Sequence, residues 1–176
     1  TTREDTVDLP VNIGLSGVTV LQVDGDATIS ARNGTISLAQ TTDQFAIDSN
    51  GSSTLSLMTD LEGSVELGPI STLSTLEVST GTIELFGDIN TKSNLQLDAV
   101  TINNEFFLPI NLTSSQLNLA GTFSENINGV YDLFVSENLN SIGNLDLSNV
   151  NLNSFPETLN LQISTYDSSL GTTTND

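Results

Sequence analysis

The residues best able to do chemistry are carboxylates. Asp24-Gly25-Asp26 sets two hard oxygen ligands across a glycine turn, and Asp88 follows Gly87 in a comparable turn. Calcium takes several flexible carboxylate and carbonyl ligands, so Asp24, Asp26 and Asp88 are the candidate metal set. There is no calcium loop with spaced acids and a closing Glu, nor a glycine-aspartate nonapeptide array. Turn formation alone therefore also accounts for these residues, and no cofactor is required. Glu66 and Glu84 sit in the middle of Ser64-Val65-Glu66-Leu67 and Thr82-Ile83-Glu84-Leu85. If those segments are neighbours, the two carboxylates stack in a row. At about 5 Å in water they repel by only about 1 kcal/mol, which a solvated face tolerates without any ligand.

Paired carboxylates can cleave glycosides. The chain has no Trp and only 2 Tyr, with aromatics at 5%, too few for the sugar subsites of a polysaccharide-cleaving cleft. It has no His and no Cys, which removes the imidazole base, the thiol nucleophile and the ordinary zinc ligands. The many Ser and Thr hydroxyls lack a base, and Lys92 is the one lysine. The expectation is a non-enzymatic protein. Three Lys and Arg against 22 Asp and Glu give a net charge of −19, which excludes binding to nucleic-acid phosphates or to an anionic membrane surface. No run approaches the roughly 18 consecutive apolar residues of a membrane span. Thr1-Thr2-Arg3-Glu4-Asp5 has neither an initiator Met nor an apolar signal core, the pattern expected of a processed or excised chain.

These side chains must be positioned by strands. Short segments alternate apolar and polar residues with the period of two, as in Thr54-Leu55-Ser56-Leu57, Thr75-Leu76-Glu77-Val78 and Gln116-Leu117-Asn118-Leu119, and Gly, Asn, Asp and Ser lie between them. Triplets starting at Ile36, Leu55, Leu76, Leu95 and Leu117 recur at about 19 to 22 residues, and a second set follows at Val65, Ile83 and Val100. Such a repeat predicts a parallel β-solenoid with coils of about 20 residues, each burying its apolar side against the next. Ser56, Glu77, Gln96 and Asn118 then form an outward hydrogen-bonding row. Residues 1–14 read as a polar N-terminal segment or linker, 15–121 as the repeat-bearing solenoid, and 122–176, where the period blurs, as an irregular continuation or cap. The alternative is an antiparallel β-sandwich, because Asn33-Gly34 between two alternating runs is a strong hairpin signal. Phe106-Phe107-Leu108-Pro109-Ile110 is the most apolar run and reads as core, a plug, or an anchor for a partner.

The run Leu67 to Thr91, with Leu73-Ser74-Thr75-Leu76-Glu77-Val78 followed by Thr82-Ile83-Glu84-Leu85-Phe86-Gly87-Asp88-Ile89, resembles the repeats of filamentous-haemagglutinin-type giant bacterial surface adhesins. The likeness spans about residues 15 to 121. It implies a right-handed parallel β-helix exported to the cell surface, extracellular, with scaffolding or adhesion as its work. Expected partners are further copies stacked end to end, other surface proteins, or glycans. Leu139 to Pro156 is locally similar to one leucine-rich repeat, and a single copy cannot build a solenoid of that class.

Overall fold

The computed structural model describes residues 13–14, 20–23, 25–39, 46–49, 51–71, 73–105, 108–125, 131–146, 150–152, 160–167 and 172–175. They form strands and turns, with no helix among them. In chain order the strands are β1 (Ile13–Gly14), β2 (Val20–Val23), β3 (Ala27–Ala31), β4 (Thr35–Leu38), β5 (Ala46–Ser49), β6 (Thr54–Thr59), β7 (Ser64–Leu67), β8 (Thr75–Ser79), β9 (Thr82–Leu85), β10 (Ile89–Asn90), β11 (Asn94–Asn104), β12 (Ile110–Glu125), β13 (Tyr131–Asp146), β14 (Val150–Leu152), β15 (Asn160–Asp167) and β16 (Thr172–Asn175).

The fold is a parallel β-solenoid whose coil has three sides. On the first side β3, β6, β8, the first half of β11, the middle of β12, the middle of β13 and the first part of β15 stack in parallel. Leu55, Leu76, Leu95, Leu117, Leu139 and Leu161 are register partners in succession, 21, 19, 22, 22 and 22 residues apart. The second side stacks β1, β4, β7, β9 and the later parts of β11 and β12, which aligns Ile36, Val65, Ile83, Ile102 and Phe123. The third side carries Ile70, Ile89, Leu112, Leu133 and Leu152.

Parallel strands usually need cover on both faces. Here the alternation supplies it on one face only: β6 begins with intermediate, buried, intermediate and buried residues, and β7, β8 and β9 repeat the pattern. Leu55, Leu57, Val65, Leu76, Ile83, Leu95, Ile102 and Leu112 are sealed inside, while the polar residues between them face water. Each such burial contributes about 1.5–3 kcal/mol. Phe123 and Tyr131 meet edge to face in the interior, with ring centroids 4.9 Å apart, and the Tyr131 hydroxyl donates to the Ile102 carbonyl at 3.0 Å.

Several expectations need correcting. The sandwich does not form: β3 and β4, on either side of Asn33-Gly34, pair in parallel with β6 and β7 and not with each other. Asn33 takes a left-handed φ of 47° and turns a corner between two sides. Ile36 belongs to the second side, and the partner of Leu55 one coil earlier is Ala27, 28 residues away. The second-side partner of Ile83 is Ile102, while Val100 is 62% exposed at a corner. Beyond Gly121 the 22-residue register persists through Leu139 and Leu161. The pattern blurs there because β13 bends around more than one side, with register shifts against β12. The chain then folds back, β16 pairing antiparallel with β15 over Ser164 to Asp167. Of the apolar run, Ile110 is buried and Leu108 exposed, and Phe106 and Phe107 lie outside the described residues.

Corners are tight wherever one coil's backbone crosses the next. The N–H of Val100 donates to the Gly81 carbonyl and the N–H of Thr82 to that of Gly63. A Cβ at Gly81 would collide with the Leu61 carbonyl, a backbone atom that cannot move aside. Gly81→Ala should therefore cost about 2–3 kcal/mol, whereas Gly25→Ala, with open space around it, should be near neutral. Thermal unfolding followed by circular dichroism checks the pair, with a drop of about 4–10 °C expected for Gly81→Ala alone.

Candidate functional site

The metal candidates occupy separate places. Asp26 lies just before β3 at the corner leading into the first side, and its Oδ1 accepts the N–H of Thr54 one coil on at 3.1 Å. Asp88 lies at the corner leading into the third side. Its Oδ1 accepts the Asn111 backbone N–H and its Oδ2 the Asn111 Nδ2, both at 2.9 Å. Asp24 lies outside the described residues. Asp26 and Asp88 thus each tie their coil to the next, and the structure does not bring them together. Among the described residues no three acidic side chains gather in a metal-binding group.

The outward rows follow the register. Ser56, Glu77, Gln96, Asn118 and Asn140 are successive partners on the first side. Ser56 Oγ donates to Glu77 Oε2 at 2.9 Å, Asn118 Nδ2 to Asn94 Oδ1 at 2.6 Å, and Asn140 Nδ2 to Asn118 Oδ1 at 2.8 Å. An amide can donate and accept at once, so asparagines continue such a chain along the axis without limit. Buried corner hydroxyls act alike: Thr91 donates to Ser114 Oγ at 2.9 Å and Ser53 to the Val23 carbonyl at 2.7 Å.

The third side holds a feature that alternation alone did not reveal. Two outward rows flank the ladder of Ile70, Ile89 and Leu112. One contains Asp88 and Asn111, the other Ser71, Asn90, Thr113 and Phe134. They line a groove of about 520 Å³ that runs along the solenoid axis. Its hydrogen-bonding groups are neutral except for Asp88, and Phe134 gives it an aromatic surface. The legible signal was the spacing of Ile70, Ile89, Leu112 and Leu133 by 19, 23 and 21 residues, the same period as on the first side. A second hollow of about 590 Å³ lies at the corner of the first and second sides, beside the exposed Leu61, with Asp60 and Glu62 in its wall.

On the second side Glu66 and Glu84 are direct register partners, as the repeat requires. Partial burial raises the Glu84 pKa above the ordinary glutamate value, and the nearby Glu66 and Glu105 charges add to the effect. A carboxyl whose folded-state pKa is raised binds its proton more tightly in the fold than in the unfolded chain. Its contribution to stability is therefore complete below the unfolded pKa and is lost as pH rises through the folded value. Glu84→Gln should raise neutral-pH stability by about 0.5–1 kcal/mol, the scale of a like-charge cross-strand pair. The gain should shrink towards the acid end of the carboxylate range, which urea unfolding at several pH values would measure.

Comparisons with protein-family models, with curated proteins and with solved structures find no match to this chain.

Proposed function

We propose that the chain is a non-enzymatic structural and adhesive solenoid of a bacterial cell surface, extracellular and working as a stiff acidic rod that associates end to end. The observation that carries the proposal is the ladder geometry. Six register steps on the first side, from Ala27 to Leu161, bind coil to coil by backbone hydrogen bonds along the axis. Pulling along that axis loads many bonds together, the property wanted in a stalk. The polar outward rows and the charge of −19 keep the lateral faces hydrated and mutually repulsive, which leaves the strand edges at the ends as the places to associate. The absence of His and Cys and the low aromatic content speak against catalysis. No cofactor is needed.

A second function, that of a monomeric module binding a glycan, is favoured by the groove on the third side.

Sedimentation velocity and negative-stain imaging over a range of concentrations test the first function. Linear assemblies one solenoid wide are expected, unchanged by millimolar calcium or chelator, because Asp26 and Asp88 already bond within the chain. A monomer at every concentration would contradict end-to-end association. A chain ending at Asp167 lacks β16 and uncovers the β15 edge, so it should assemble at lower concentration than the full chain.

A further inference from the structure

We infer that the groove on the third side is a binding site for an extended chain of neutral hexoses, one sugar ring per coil. The inference rests on the glycan-binding function and assigns it a place. Ser71, Asn90, Thr113 and Phe134 succeed one another along the axis at the coil rise of about 4.8 Å. That rise is close to the length of one pyranose unit in an extended polymer, so a chain laid along the axis meets one side chain of this row at each ring.

The groove offers both kinds of surface that a sugar ring presents, an aromatic one at one end and hydrogen-bonding groups along both walls. Phe134, half-buried at one end, offers an aromatic surface to the apolar C–H face of a sugar. Asn90 is exposed, and neither its side chain nor that of Thr113 makes a hydrogen bond to another described residue. Both can therefore donate to and accept from vicinal hydroxyls. Opposite them Asp88 holds the Asn111 amide through its Nδ2, which orients Asn111 Oδ1 without help from a ligand. A polar group fixed in advance loses less entropy on binding.

The ligand is not anionic. Asp88 lies in the wall and the whole chain carries −19, so uronates and sulfated sugars are repelled. The corner hollow beside Leu61 suits the same ligand less well, since its wall holds two acids, Asp60 and Glu62, and no aromatic ring.

Isothermal titration calorimetry of the full chain with cellohexaose, mannohexaose and hexagalacturonate tests the site. Saturable binding of at least one neutral hexaose is expected, with none for hexagalacturonate. Phe134→Ala should weaken it at least about tenfold, the mark of an anchor residue. Asn90→Glu, an exposed change that leaves the core untouched, should do the same and covers the case in which Phe134→Ala perturbs the fold. Binding by the parent chain that both folded variants retain would overturn the groove and leave a glycan-binding function standing elsewhere. Failure of both neutral hexaoses to bind, or preference for hexagalacturonate, would overturn the proposal, and assembly measured separately by sedimentation would be unaffected.

Discussion

The structure depends on register between successive coils. Once Leu55 stands beneath Leu76 and Leu76 beneath Leu95, the backbone N–H and C=O groups along those strands find their partners in the coils on either side. The same alignment stacks aliphatic side chains inside and polar ones outside. A slip of one residue would turn each leucine to water and each serine or glutamate into the core, so the alternation itself defends the register. Burial and hydrogen bonding thus select the same alignment, which lets a parallel sheet survive with water on one face.

What happens outside follows from that stacking. Identical register places like groups above one another, and the consequence depends on their chemistry. Asn118 and Asn140 gain a hydrogen bond from it, and Thr91 and Ser114 do so in the interior. Partial burial raises the Glu84 pKa, and repulsion from the stacked Glu66 adds to it. At the corners the stacking brings backbone against backbone, which is why Gly81 and Gly121 have no room for a side chain. Gly121 also needs its φ of 124°, a conformation open to glycine. On the third side stacking produces a groove with one repeat of hydrogen-bonding groups per coil.

Much of this was legible in the chain, and the reasons for the rest are specific. Leu55, Leu76, Leu95 and Leu117 announce the first side because their coils are of nearly equal length. Ile36 misled because its coil on the second side is 29 residues long, so its true partner Val65 falls outside the period. Val100 misled because it completes an alternating pattern while standing at a corner, two residues short of the buried Ile102. Asn33-Gly34 carries the local signature of a hairpin, and only non-local pairing decides that it turns a coil corner. The third side escaped notice because β10 is two residues long and shows no alternation, although Ile70, Ile89, Leu112 and Leu133 keep the period. Of the metal candidates, the turn positions of Asp26 and Asp88 were evident, but their use as ties between coils required coordinates.

Surface chemistry and the groove both derive from in-register coils, and that register can be measured directly. The chain has no cysteine, so Ser56→Cys and Asn140→Cys together give a unique pair of spin-label sites. These positions are joined through Glu77, Gln96 and Asn118 by four register steps. Pulsed electron–electron resonance should return a single narrow distance near four coil rises, about 19 Å. A broad distribution, or a distance far longer than that, would contradict the solenoid register and everything built upon it.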